Sequence, residues 1–208
     1  MKFRLAFSMI ELVLVIVVIG ILASLAIPRM DRDLRQEAID SVVANIRLTQ
    51  RMALSDHRHD INQTWQRSYW QWRLSTCDNG SYYYSVFSDN NRDGDIDVGE
   101  IAIDPYNRKY LHAREDGYCT SGDANNTDSD RVLLSKKFGI TSIARVGGCA
   151  NNAHIAFDEF GRPHNGIDGY ASPNFAFLMR EDCNLTFVLG ESNFTVNIEA
   201  ITGRVSEL

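Results

Sequence analysis

The feature that most constrains this chain of 208 residues is an uninterrupted apolar run near its N-terminus. Residues 12–27 carry no charged side chain, and Lys2 and Arg4 precede the run. A helix over residues 7–28 would rise about 33 Å, enough to cross a hydrocarbon core of ~30 Å. Because cations before an apolar run favour a cytoplasmic N-terminus, the sequence predicts one transmembrane helix with the remainder outside the cytoplasm.

Three kinds of N-terminal segment fit this run. It could be a secretory signal peptide cut near Ala26, an uncleaved signal anchor, or a leader that is cut before the apolar run begins. Glu11 discriminates among them, because a carboxylate inside an apolar segment costs about 2.5–3.5 kcal/mol on insertion scales. A signal peptide has no use for that charge, so Glu11 favours the early-cut leader.

The stretch from Ala6 to Glu11, the apolar run and Pro28 together resemble the type IV pilin superfamily, which includes the type II secretion pseudopilins. In that family a prepilin peptidase cuts before a Phe and methylates the new amine. The resemblance places cleavage between Ala6 and Phe7, and it places the family's Glu and Pro on Glu11 and Pro28. Ala6 departs from the Gly that usually precedes the cut.

The resemblance implies assembly. Cleavage frees a cationic amine at Phe7, which a neighbouring subunit's Glu11 can bind, and such a pair is strong at low dielectric. The implied partners are other pilins or pseudopilins through the N-terminal helix, the prepilin peptidase and an inner-membrane assembly platform. The implied location is a single pass in the bacterial inner membrane, with a periplasmic globular domain incorporated in a pilus or pseudopilus.

The C-terminal half carries a looser resemblance to GspH/FimT-like minor pseudopilins. Those proteins tend to have a strand ending in Phe-Asp with Gly-Arg nearby, and a final Thr-Gly-Arg strand. The matching residues here are Phe157-Asp158, Gly161-Arg162 and Thr202-Gly203-Arg204. This similarity favours a minor subunit.

The chain divides into four segments. Residues 1–6 form the leader, 7–28 the transmembrane assembly helix, 29–60 an amphipathic continuation of that helix, and 61–208 a β-rich periplasmic domain. Apolar residues recur at helical spacing in the third segment: Leu34, Ile39, Val42, Val43, Ile46 and Ala53. The predicted fold is α+β, with a long N-terminal transmembrane/amphipathic α-helix packed on an antiparallel β-sheet, as in type IV pilins.

Strand signals dominate after residue 60. Asn79-Gly80 between two aromatic-rich runs predicts a β-hairpin. Further strands are predicted at 131–135, 140–145, 153–158, 174–180, 185–190, 193–200 and 203–207.

Residues 89–100 read DNNRDGDIDVGE and match the EF-hand loop template at every required position. Calcium prefers six to eight oxygen ligands. The template assigns side-chain oxygens to Asp89, Asn91 and Asp93, the backbone carbonyl to Asp95, a direct or water-bridged contact to Asp97, and both carboxylate oxygens to Glu100. Since the flanks look like strand and loop, we expect structural Ca²⁺ rather than a helix–loop–helix sensor.

Four cysteines lie beyond the apolar run, and an even number in an oxidising compartment predicts disulfides. They are Cys77, Cys119, Cys149 and Cys183. Three connectivities are possible. Cys149 immediately precedes a predicted strand and Cys183 lies in a predicted hairpin turn, which favours Cys149–Cys183 and leaves Cys77–Cys119.

Composition and motifs exclude several function classes. The net charge of −6 disfavours nucleic acid as a partner, and no nucleophile, zinc or phosphate-loop motif points to an enzyme. The leading hypothesis is therefore a minor pilin-like structural subunit of a type II secretion pseudopilus or type IV pilus, with a calcium-stabilised loop. The alternative is a signal-anchored periplasmic calcium-binding recognition domain that forms no filament.

Overall fold

The computed structural model describes residues 9–113, 126–152 and 154–208, with backbone only for residues 23–33. Within these ranges two α-helices and eight strands are labelled in chain order. They are α1 (Met9–Ser55), β1 (Trp70–Thr76), β2 (Tyr82–Phe87), α2 (Leu134–Phe138), β3 (Ile140–Gly147), β4 (His154–Phe157), β5 (Pro163–Asn165), β6 (Cys183–Leu189), β7 (Ser192–Ile198) and β8 (Val205–Glu207).

The strands form two antiparallel sheets. The first sheet has the order β2-β1-β4-β5 and the second has the order β3-β6-β7-β8. The predicted hairpin joins β1 to β2, with Thr76 paired to Tyr82 and Gly80 at φ 80° in the turn. The second sheet is a meander after β3, in which Phe187 and Phe194 stack at 4.8 Å.

The C-terminal half of α1 packs against both sheets. Ala38, Val42 and Ile46 have no exposed surface. Asn45 donates a 2.7 Å hydrogen bond to the buried hydroxyl of Tyr84 on β2. On the other side, Arg47 donates 2.7 Å to the carbonyl of Val205 on β8. The helix therefore joins the two sheets and covers the main apolar core.

The predicted membrane-spanning helix is wrong for the described part of the chain. None of its helices is long and apolar enough to cross a membrane. The apolar part of α1 with described side chains covers residues 9–22, about 21 Å along the axis, whereas a bilayer core needs ~30 Å. The predicted single pass in the inner membrane, which depends on such a helix, is wrong for the same reason.

The expected pilin-like architecture needs a second correction. The class is α+β, but two four-stranded sheets replace the single sheet that was expected to pack on a long transmembrane helix. The reason lies in long-range pairing, since β1 pairs with β4 about eighty residues later, while β3, which lies between them in the chain, pairs with β6 in the second sheet.

Some predicted strands also differ. Residues 131–135 were expected as a strand but form a 3-10 turn and the start of α2. Residues 174–180 make one isolated bridge, His164 with Leu178, instead of a strand. Pro163–Asn165, where no strand was predicted, pairs as β5. In a short apolar run, periodicity does not separate helix from strand.

Candidate functional site: an exposed apolar helix and a calcium-type loop

The N-terminal part of α1 exposes apolar side chains around its whole circumference. All of the large ones from Met9 to Leu22 are exposed, from 46% at Val15 to 88% at Met9. Glu11 lies within α1, among these exposed apolar side chains. An apolar helix without a polar face requires a covering partner.

The other residues of the predicted processing and assembly motif are only partly described. Ala6 and Phe7 lie outside the described residues. Pro28 is within α1, but its side chain also lies outside the described part. The structure thus places Glu11 on the exposed apolar segment and leaves the cleavage site as a prediction.

The two ends of the calcium-type loop, residues 89–100, are drawn inward. Asp89 and Glu100, the first and last ligand positions, are 3% and 6% exposed. Asp89 accepts hydrogen bonds from the backbone N–H groups of Arg92 at 2.6 Å and Gly94 at 3.0 Å. Glu100 accepts from the N–H of Asn90 at 2.6 Å. Both carboxylates therefore point into the loop.

The middle of the loop is a chain of side-chain-to-backbone turns. Asn91 accepts from the N–H of Asp93 at 3.0 Å, and Asp93 accepts from the N–H of Asp95 at 2.9 Å. The Asn91 amide nitrogen donates to Asp93 at 2.8 Å and to Asp97 at 3.2 Å. Gly94 has φ 92°, a conformation that favours glycine.

Charge crowding is visible at Asp89. Burial raises the pKa of its carboxyl; the N–H bonds from Gly94 and Arg92 act against this, while the charges of Glu100 and Asp93 add to it. Because the charged form is disfavoured in the fold, an ionised Asp89 lowers stability near neutral pH. A bound cation would relieve that cost.

The fit to a metal ion is partial. Within the described ranges, no group of three or more His, Cys, Asp and Glu side chains is arranged to hold one. The donors that the loop offers are oxygens, the set that Ca²⁺ prefers. The Asn91 amide nitrogen lies between the Asp93 and Asp97 carboxylates. The oxygen donors therefore suit calcium, whereas the distances between them are set by hydrogen bonds within the loop.

The loop is attached to the segment that follows α1. Arg58 donates to the side chain of Asn90, and Arg92 lies 3.5 Å from Asp60. Ser88, just before the loop, donates 2.6 Å to the carbonyl of Ser68. The loop thus helps to hold the end of the helix against the first sheet.

One predicted disulfide is present. Cys149 and Cys183 are bonded, with their Cα atoms 5.1 Å apart, and the bridge ties the end of β3 to the start of β6. Cys77 is also disulfide-bonded. Its predicted partner, Cys119, lies outside the described residues.

Sequence reasoning missed a buried polar network after β4. The Asp158 carboxylate accepts from Arg162 Nε at 2.7 Å and lies 3.2 Å from His164 Nε2. His164 Nδ1 is 2.7 Å from the Tyr170 hydroxyl. Burial alone would raise the pKa of Asp158, but the bonds from His164 and Arg162 outweigh burial and lower it. The segment Asp158-Glu-Phe-Gly-Arg162, with an acid and a base four residues apart, was the sequence feature that could have indicated this network.

Fold and site together define an α+β chain with two antiparallel sheets, an exposed apolar helical segment and an acidic loop at the helix end. Comparisons with protein-family models, with curated proteins and with solved structures each found no match.

Proposed function

We propose that this chain is a minor pilin-like structural subunit, which assembles into a type II secretion pseudopilus or type IV pilus through the N-terminal part of α1. One observation carries the proposal: apolar side chains cover the whole circumference of residues 9–22, while the other half of the same helix is fixed in the core. A helix held in this way presents its free half to other helices, and packing several such halves together would bury it.

The charge at Glu11 supplies the register of that packing. A carboxylate inside an apolar bundle is costly unless a cation pairs with it. The amine that prepilin peptidase would free at Phe7 of a neighbouring subunit is such a cation. Pairing at one position along the bundle would fix the axial offset between subunits.

The assembly experiment compares two carboxylates of the same helix. Glu11→Gln should reduce the amount of the protein in sheared filaments by at least tenfold. The substitution removes the carboxylate and leaves the neighbouring subunit's amine unpaired in an apolar bundle, which costs several kcal/mol. Glu37→Gln is the matched control, since Glu37 lies on the packed half and contacts Lys137 at 3.7 Å. It should assemble normally.

Mass spectrometry of the mature N-terminus completes this test. The proposal requires a chain that begins at Phe7 and is heavier by one methyl group. Normal filament incorporation of the Glu11→Gln variant, or an N-terminus at Met1 or Ile27, would contradict it. Both variants should keep the wild-type melting temperature, which separates assembly from folding.

The calcium-type loop would act within this subunit as a structural clip. Asp89, Asn91, Asp93, Asp97 and Glu100 would hold Ca²⁺ with side-chain oxygens and Asp95 with its backbone carbonyl. The ion would offset the burial and the carboxylate repulsion that together raise the pKa of Asp89. Because the loop contacts the segment after α1, the clip would firm the junction between helix and sheet.

A calcium titration tests the clip. Calcium at a hundred times its Kd should stabilise the fold by about 2.7 kcal/mol, measured by urea unfolding, and Glu100→Gln should remove the effect. Asp95→Asn is the control and should retain it, since only the carbonyl of Asp95 would bind. A calcium-independent unfolding curve for the wild type would exclude the clip while leaving the assembly proposal standing.

A further inference from the structure

A small cavity opens beside the buried network of Asp158, far along the chain from the calcium-type loop. It lies between the 3-10 turn Trp65–Ser68, the turn at 158–162 and residues 173–175, and its volume is about 240 Å³. Trp65 and Tyr69 are buried, at 8% and 5% exposure. Phe160 and Phe175, at 68% and 56%, remain exposed.

The walls of this cavity are fixed by polar contacts. The Gln66 side chain donates a hydrogen bond of 2.8 Å to the carbonyl of Asn174 and accepts one of 2.8 Å from the Asn174 N–H. These two bonds join the 3-10 turn to the loop at 173–175. The Arg162 guanidinium lies 5.0 Å from the ring of Phe160 and 5.2 Å from that of Phe175. Its Nε is bound to Asp158 at 2.7 Å. The cavity is therefore preformed, which lowers the entropic cost of binding.

The size of the cavity limits its occupant to one ring. Pockets for drug-sized ligands span ~300–1,000 Å³, and this one is smaller. The aromatic walls favour a group with an apolar face. The polar lining, by contrast, favours a group that carries hydrogen-bonding substituents around its edge.

Charge narrows the occupant further. Asp158 and Glu159 contribute two carboxylates and Arg162 one cation. An anionic group would meet net negative charge, and a cationic one would meet Arg162 between the two exposed rings. A purely aromatic side chain would cover the Glu159 carboxylate, which lies 3.9 Å from His57 Nδ1, without offering it a hydrogen bond, which is costly. A neutral ring with hydroxyl groups at its edge avoids all three penalties.

We propose that this cavity binds a single neutral pyranose ring, whose C–H face packs on Phe160 and Phe175 while its hydroxyls bond to Glu159 and Arg162. The site is independent of the assembly helix, and it does not depend on the proposed function. The ring belongs either to a free sugar or to a residue of a polysaccharide.

The test uses the full chain in a detergent without a sugar headgroup. Methyl glycosides of glucose, galactose and mannose are titrated, with binding followed by saturation-transfer NMR and by fluorescence. At least one should bind with a Kd of about 1 mM or tighter, and saturation should be strongest at its C–H face. Tighter binding of the matching oligosaccharide identifies a polysaccharide as the source, and equal binding identifies the free sugar.

Two variants localise the binding. Phe175→Ala should weaken it roughly tenfold through loss of the stacking surface, and Glu159→Gln should change the preference among the three sugars. Tyr106→Ala is the matched control, because Tyr106 is another exposed ring, 81% accessible, with Arg131 at 5.0 Å. It should bind as the wild type does.

Three results would overturn the proposal. The first is no binding of any glycoside up to ~100 mM, a concentration a hundredfold above the expected Kd. The second is an equal loss of affinity in the Tyr106→Ala and Phe175→Ala variants. The third is saturation by N-acetyl-phenylalanine amide or N-acetyl-lysine amide in place of the sugars, which would make the cavity a peptide site.

Discussion

The two halves of α1 share one backbone helix and differ in what surrounds them. Ile16 is 61% exposed, whereas Ile46, thirty residues later on the same helix, has no exposed surface. Both stretches are rich in apolar residues, but only the second alternates them with polar side chains at helical spacing. The sheets cover the apolar stripe of the amphipathic half. The described side chains of the uniformly apolar half are left exposed.

This difference separates the part of α1 that stabilises the fold from the part that does not. Burial of the packed C-terminal half of α1 (the lower half) contributes to the stability of the single subunit. The exposed N-terminal half of α1 (the upper half) adds almost nothing to that stability, because its apolar side chains stay exposed. Under the proposed function, this is the surface through which subunits would associate.

The largest difference is expected when the same type of side chain is truncated in each half of α1. Ile46→Ala should lower the free energy of unfolding by about 2–5 kcal/mol, since it leaves a cavity in the core. Ile16→Ala should change it by less than ~0.5 kcal/mol, as surface substitutions do. Urea unfolding of the full chain measures both, and a similar cost for the two variants would show that the upper half is covered within the subunit.

A second prediction concerns how the lower half is held. Gln50 of α1 donates 2.9 Å to the carbonyl of Gly161, in the turn that Asp158 organises. Asp158→Asn should cost about 1.5–3 kcal/mol, the contribution of charge-assisted hydrogen bonds.

The direction of the Asp158 pKa shift predicts how the stability of the fold changes with pH. Because the folded pKa of Asp158 is below its ordinary value of 3.8, its stabilisation is complete above that value and is lost as the pH falls through the folded pKa. Asp158→Asn should therefore flatten the loss of stability below about pH 4. An unchanged acid limb in Asp158→Asn, measured by unfolding at each pH, would contradict this assignment.

The smallest effect is expected where the packed half begins. Arg35 contacts Glu207 of β8 at 2.9 Å, with about a third of each side chain exposed. Such a pair contributes ~0.2–1 kcal/mol and is screened by salt. Glu207→Gln should cost no more than this at low salt and nothing at ~1 M salt. A larger, salt-independent loss would indicate that the packing of β8 itself depends on Glu207.

The sequence predicted features whose signal lies within a few residues. The Asn79-Gly80 hairpin, the apolar stripe of α1 and the Cys149–Cys183 bridge appear in the structure. The same local reasoning failed for residues 131–135, because a run of apolar residues there is buried by the start of a short helix. It also failed for the transmembrane helix, since apolar length in the described part is insufficient.

The helix stripe, the loop at 89–100 and the cysteine positions can be predicted from residue order alone, because each depends on spacing along a short stretch of chain. The division into two sheets and the surroundings of the buried aspartates depend on contacts between distant segments. The hydrogen bonds from His164 and Arg162 lower the pKa of Asp158, whereas burial, with nearby carboxylates adding to it, raises the pKa of Asp89. The cavity is decided in the same way: Gln66 and Asn174 meet across 108 residues, and no local pattern encodes which distant groups the fold will bring together.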